Sequence, residues 1–144
     1  MNNGWKVVVA SIVASCSIGA APPAREYAEG QVWEYRTRPE DEGSLLKIQR
    51  IETLEEFKQT GPVYHVSLIG VHFAGLPTAS ELQHAPFSKA SLDASVTRLS
   101  SSKAPFPDPT EGIAQWRAAK GGVFTITVAD AVRVAEQTIG SQAQ

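Results

Sequence analysis

Three histidines, His65, His72 and His84, carry the side chains best suited to holding a metal ion or moving a proton at neutral pH. His65 and His72 fall in one apolar run, and positions seven apart on a regular strand point to opposite faces of a sheet. Ligands of one zinc ion must all lie about 2 Å from it. The spacing therefore predicts no metal site at this pair, and we expect no cofactor.

The other side chains that commonly serve catalysis have structural explanations. Asp108 and Glu111, with Pro109 between them, form a capping box, so both carboxylates are expected to bind backbone N–H groups at a helix start. No serine lies in a Gly-x-Ser-x-Gly elbow. The pair at 121–122, Gly-Gly, follows a predicted helix, whereas phosphate-binding loops lead into a helix. We assign no catalytic residue.

A basic patch on the first predicted hairpin is the candidate binding surface. If Tyr35 pairs with Ile48, Arg36 stands opposite Lys47 with Arg38 nearby. Like charges directly opposite each other across two strands are unfavourable, so an anionic partner would relieve their repulsion. Arg36, Arg38 and Lys47 are therefore the predicted binding residues.

The only cysteine, Cys16, stands where an early apolar run ends. Lys6 precedes that run, and a positive charge before an apolar run is the layout of a secretory signal peptide. The run itself is too short to span a membrane. Residues 13–16, Val-Ala-Ser-Cys, resemble the bacterial lipobox, which implies lipidation of Cys16; a serine at 17 resembles the outer-membrane class. Ordinary signal cleavage near residues 19–20 and a cytosolic protein with a buried thiol are the alternatives.

Length and composition favour one small domain, and the signal segment favours a location outside the cytosol. The chain has 144 residues and a formal net charge of −2. A slightly acidic body argues against nucleic acid, because phosphate binding needs a basic surface. We expect a signal peptide over residues 1–15, a tether over 16–30 and a single domain over 31–140. The expected location is the periplasmic side of the outer membrane through the lipid anchor, or the soluble periplasm.

Hydrophobic periodicity and helix-capping residues predict the elements that position these residues. The predicted order is β-β-β-α-α-β-α, over residues 31–38, 45–53, 63–73, 89–99, 109–120, 123–127 and 128–140. Residues 75–86 are predicted to form a loop. Strands that come mostly before helices favour an α+β fold, with a mainly antiparallel sheet of about four strands and helices packed on one face.

Three segments resemble a group of small uncharacterised bacterial proteins. They are GQVWEYRTRP over 30–39, PFS over 86–88 together with LDASVTRL over 92–99, and GGVFTI over 121–126. The resemblance spans about 30–140. It implies a single stand-alone domain and no particular activity.

These features favour an exported, lipid-anchored envelope protein that binds another protein, as an accessory subunit or as an immunity-type inhibitor of a toxin. Small size, export and the lack of a recognisable catalytic set motivate this hypothesis. A module that binds a small ligand or an envelope component in a cleft is the alternative. An unrecognised small hydrolase is the second alternative function. A histidine beside a carboxylate in a cleft would favour it.

Overall fold

The fold is one open sheet with helices on both of its faces. The computed structural model describes residues 25–142, so the predicted signal peptide and Cys16 lie outside the described residues. Five antiparallel strands lie in the order β4-β3-β2-β1-β5. The strands are β1 (Val32–Tyr35), β2 (Leu45–Glu52), β3 (Val63–Val71), β4 (Ser80–Phe87) and β5 (Val96–Ser100); the helices are α1 (Lys89–Ser95), α2 (Thr110–Ala118) and α3 (Val128–Gln142). The predicted α+β class with an antiparallel sheet is confirmed, with five strands rather than about four.

One face of the sheet carries the apolar core. Alternate residues of the strands point to it because side chains on a strand alternate between faces. The core strand residues include Trp33, Tyr35, Leu46, Ile48, Tyr64, Val66, Leu68, Ala85 and Phe87. Helices α1 and α3 cover this face through Leu92, Val128 and Val132.

The opposite face of the sheet is polar and is covered by α2. His65 alternates with the core residues Tyr64 and Val66, so its ring points away from the core. Trp116 of α2 meets that ring edge-on, with 5.0 Å between ring centroids. The prediction that the helices pack on one face is therefore wrong. Helix α2 fits a polar face because Ile113 is its only buried residue.

The first hairpin has a different register from the predicted one. Trp33 pairs with Leu46 and Val32 with Lys47, whereas the predicted pair was Tyr35 with Ile48. The shift is even, so Trp33, Tyr35, Leu46 and Ile48 keep their predicted face of the sheet. A bulge after Ile48 moves Arg50 from the predicted apolar face to the face of His65. The strands are shorter than predicted and the connection between them is longer than a tight turn.

A buried arginine holds that long connection in place. Arg38 is only 2% exposed and Asp41 only 1%. The Arg38 guanidinium donates to Asp41 Oδ2 at 2.6 Å, to Glu136 Oε1 at 3.1 Å and to the His72 carbonyl at 2.9 Å. Asp41 Oδ1 accepts the His72 backbone N–H at 2.7 Å. The network joins the connection to the end of β3 and to α3.

Strand β4 replaces the predicted loop over 75–86. It lies at one edge of the sheet, where a strand tolerates Pro86 although proline has no N–H to donate. This strand contains a proline and several polar residues, so its sequence lacks the regular apolar–polar alternation that would predict a strand. The predicted strand over 123–127 shrinks to a single bridge, in which Phe124 pairs with Phe87.

Strand β5 replaces the end of the first predicted helix. Helix α1 ends at Ser95 rather than at Leu99, and Val96 pairs with Tyr35 at the other edge of the sheet. Ser95 Oγ donates to the Ser91 carbonyl and accepts the backbone N–H of Val128. These two bonds fix the start of α3 against the end of α1, where the chain turns into the strand.

The predicted helix caps are largely confirmed. Ser88 caps α1, and Thr127 accepts the Asp130 backbone N–H at the start of α3. Asp108 Oδ1 accepts the backbone N–H of Thr110 at 2.9 Å, where α2 begins. The other half of the predicted capping box is not formed, because Glu111 accepts from Gln115 instead.

Candidate binding groove

The structure does not bring the three predicted binding residues together. Arg38 is buried in the network described above, and Arg36 is exposed and donates to the Ala94 carbonyl at 3.0 Å. The Lys47 ammonium lies 5.8 Å from the centre of the Phe106 ring. Because Lys47 pairs with Val32, it does not face Arg36 across the hairpin. The predicted arrangement of the basic patch is therefore wrong.

A groove of about 650 Å³ opens instead at the end of α2. Two chain segments far apart in sequence form its walls, a 3-10 turn at Glu55–Phe57 and the C-terminal end of α2. We call it the α2 groove. Its lining residues are Leu54, Glu56, Phe57, Trp116, Arg117, Lys120, Gly121 and Gly122.

Two aromatic rings form the apolar part of the α2 groove. Phe57 and Trp116 stack with 5.9 Å between ring centroids and 22° between ring planes. The Trp116 indole N–H donates to the Gly122 carbonyl at 2.9 Å, which fixes the ring against the turn after α2. A Cβ on Gly121 would stand 2.3 Å from Trp116 Cδ1, so a side chain at 121 would have to displace that ring.

Lys120 lines the groove and has a left-handed backbone conformation, with φ of 50°. The Lys120 N–H donates to the Arg117 carbonyl and the Gly121 N–H to the Trp116 carbonyl, the two bonds of a Schellman motif. Glycine is the usual residue at this position of the motif. A residue with a Cβ costs about 1 kcal/mol or more in the left-handed conformation. Lys120 is the only non-glycine with positive φ among residues 25–142.

A histidine pair lies behind the two stacked rings, with His65 buried and His84 half-buried. His65 Nδ1 and His84 Nε2 share a hydrogen bond of 2.8 Å, and their rings stack with centroids 5.0 Å apart. The Trp116 ring meets both histidines edge-on. Gly112 of α2 makes this contact with β4 close, because a Cβ there would stand 2.6 Å from His84 Cβ.

Glu52 connects the histidine pair to the groove. Its side chain is 10% exposed, and its Oε1 forms an ion pair with Arg50 at 2.8 Å and accepts a hydrogen bond from Arg117 of the groove. Its Oε2 lies 3.4 Å from His65 Nε2, and neither atom has a hydrogen-bond partner within the described part of the chain. Arg117 therefore serves both the groove and the buried carboxylate.

Burial keeps both histidines neutral at neutral pH. Loss of hydration lowers the pKa of His65, against the smaller opposing effect of Glu52. Loss of hydration, followed by repulsion from His65, lowers the pKa of His84 to about 4. The two neutral rings are joined by one hydrogen bond and act as a packed polar contact between the sheet and α2.

The histidine cluster has no nucleophile beside it within the described residues. A histidine beside a carboxylate is present, as Glu52 and His65, but His65 is fully buried beneath α2. Among residues 25–142, the only hydrogen bond made by the ring of either histidine is the one between them, so no hydroxyl or thiol is placed for attack. No group of three or more potential metal ligands occurs in the same described range. His72 is exposed and follows the end of β3, seven positions after His65.

Sequence reasoning missed the α2 groove because its walls are about 60 positions apart. Phe57 falls in a segment that looks like a polar turn, and Trp116 looks like a core residue of an amphipathic helix. The only local pattern near the groove is the end of α2 at Lys120 and Gly121. A helix-ending motif places the first residue after the C-cap in the left-handed conformation.

The first described residues are packed against the domain. Arg25 donates to the Val96 carbonyl, and the Tyr27 ring meets Trp33 and Tyr64 edge-on, each with 5.5 Å between centroids. The part of the predicted tether over 25–30 is therefore attached to the sheet.

None of the helices between residues 25 and 142 has the length and apolar character needed to cross a membrane. Comparison of the chain with protein-family models, curated proteins and solved structures gives no match.

Proposed function

We propose that this chain is an exported, lipid-anchored protein of the cell envelope that binds another protein through the α2 groove. The groove itself is the observation that carries the proposal: Phe57 and Trp116 lie beside Arg117 and Lys120 on one accessible surface. Tryptophan and arginine are among the residue types that contribute most to binding at protein interfaces. The basic start, the apolar run and Cys16 support export and lipidation.

The shape of the α2 groove favours a segment of a protein as occupant. Its walls belong to a 3-10 turn and a helix end, and they bring charged side chains and two aromatic rings to one groove. Such a surface suits an extended segment with one apolar side chain and one charged group. A small ligand is the second candidate, because about 650 Å³ falls within the usual volume range of ligand pockets.

Replacing Phe57 by alanine tests the groove directly. Phe57 is half-buried and outside the apolar core, so we expect the variant to fold. Loss of the stacked ring should remove most of the capture of the native partner from envelope extracts, with a Kd at least tenfold weaker once the partner is identified by mass spectrometry. Phe106→Ala is the matched control, because Phe106 is also half-buried and does not line the groove.

The comparison of the two variants decides the proposal. A protein that is captured by the wild type and by Phe106→Ala, and that is lost with Phe57→Ala, supports binding through the groove. Equal capture by all three forms would contradict it. Capture of no protein, together with mass-spectrometric recovery of a small molecule, would move the proposal to the small-ligand candidate.

Replacing Cys16 by serine tests the lipid anchor. Serine cannot form the thioether that carries the lipid, so the variant should leave the membrane fraction and lose the mass of the acyl groups. Fractionation and intact mass spectrometry of the native protein measure both effects. Unchanged fractionation and mass would remove lipidation from the proposal.

A further inference from the structure

We infer that the partner presents an acidic segment to the α2 groove, and that Lys120 binds a carboxylate of that segment. The inference rests on the proposed function and names the chemistry of the partner. An apolar or aromatic side chain next to that carboxylate would contact Phe57 and Trp116. The occupant is thus an acidic-aromatic peptide segment of another protein.

The backbone at Lys120 is the first argument. The Schellman motif that ends α2 puts this residue in the left-handed region, where glycine is favoured. The chain has glycine at both following positions, 121 and 122, yet it has lysine where the motif prefers glycine. Residues held in sparsely populated conformations cluster at functional sites, which points to a binding role for Lys120.

The charges lining the groove are the second argument. Arg117 and Lys120 are its two cations and Glu56 its one anion. Arg117 complements the C-terminal end of α2 and pairs with Glu52, which accounts for it without a ligand. Lys120 makes no ion pair and no side-chain hydrogen bond within residues 25–142 and lies beyond the last turn of the helix. Its charge is therefore free to meet an anionic group.

The aromatic wall is the third argument, because it distinguishes a peptide from a bare anion. The two stacked rings give the groove an apolar surface that an inorganic anion would not use. A carboxylate followed by an aromatic side chain could contact both Lys120 and these rings. Aromatic residues at such a surface commonly contribute much of the binding energy.

Lys120→Gly is the decisive variant because its effects on stability and on binding have opposite signs. Glycine relieves the left-handed backbone, so Tm should rise by about 2–4 °C. Loss of the ammonium group should weaken binding of the partner at least tenfold. A weakened variant that is more stable cannot be explained by misfolding. Lys103→Gly, in an exposed loop outside the groove, is the matched control and should keep full binding.

A defined probe separates charge from shape. The probe is the blocked pentapeptide Gly-Asp-Phe-Asp-Gly, titrated into the wild-type protein while NMR follows the amide signals of Gly121 and Gly122 and the Trp116 indole signal. Saturable shifts should appear with this peptide, and they should need at least tenfold more peptide in Lys120→Gly. The peptide with asparagine in place of both aspartates should give much weaker shifts. Absence of shifts with the acidic peptide, or equal binding of the two peptides, would overturn the inference.

The native partner distinguishes this inference from the proposed function. Capture that is lost with Phe57→Ala and kept by Lys120→Gly would leave the groove as the binding site and overturn the role of Lys120. Capture unaffected by either variant would overturn both. Loss of capture with both variants, with Lys103→Gly unchanged, would support the acidic segment.

Discussion

Replacing Arg38 by methionine is expected to lower the free energy of unfolding by about 3–5 kcal/mol, because it leaves a buried carboxylate without its cation. Arg38 is fully buried and makes two hydrogen bonds to Asp41, which is equally buried. Methionine fills much of the same space, so the loss reports the charge and the hydrogen bonds more than a cavity. Urea unfolding followed by circular dichroism measures the change.

Two further variants make this prediction specific. Arg36→Met removes an exposed arginine from the same segment and should change stability by no more than about 0.5 kcal/mol. Arg38→Met combined with Asp41→Leu removes both charges and should recover part of the loss, as replacement of a whole buried ion pair often does. A loss below about 1 kcal/mol for Arg38→Met alone would show that the network contributes little to stability.

Acid is expected to destabilise the protein over a defined pH window through the histidine pair. The folded state lowers the pKa of His84 from 6.5 to about 4 and also lowers that of His65. Between these values the unfolded chain binds protons that the folded chain does not, so stability is complete above about pH 6.5 and falls towards pH 4. For partly exposed His84 alone the loss amounts to about 2–3 kcal/mol.

Urea unfolding at several pH values between 7 and 4 tests this prediction. His84→Gln removes one titrating group while keeping a polar side chain that can bond to His65, so its stability should fall less steeply in this window. His72→Gln removes an exposed histidine and should leave the slope of the wild type unchanged. Identical slopes for the wild type and His84→Gln would contradict the assignment of the acid sensitivity to the histidine pair.

The sequence predicts the faces of the strands better than their partners. Trp33 and Tyr35 alternate with polar residues, and that period of two settles which side chains enter the core. The register depends on the connection between β1 and β2, which is held by contacts from Arg38 to Glu136 and to the His72 carbonyl. Contacts of such long range leave no local pattern, so the basic patch was predicted in an arrangement that the fold does not have.

The sequence failed to predict β4, β5 and the α2 groove for a similar reason. Val96 and Leu99 fit a helical stripe as well as a strand, and pairing of Val96 with Tyr35 decides for the strand. The groove needs Phe57 and Trp116 side by side, which only the finished tertiary structure provides. Capping residues are local, and for this reason Ser88 and Thr127 could be identified correctly from sequence.

The polar character of the sheet face under α2 has a dynamic consequence. Apart from Ile113, this helix rests on the rings of His65 and His84 and on a few side-chain hydrogen bonds, whereas α3 buries several aliphatic side chains. Segments with little buried apolar surface undock locally well below the free energy of global unfolding. We therefore expect helix α2 to undock more easily than α3. The surface formed by Phe57 and Trp116 exists only while the helix stays docked, so an occupant would act as a clamp that slows amide exchange throughout that segment.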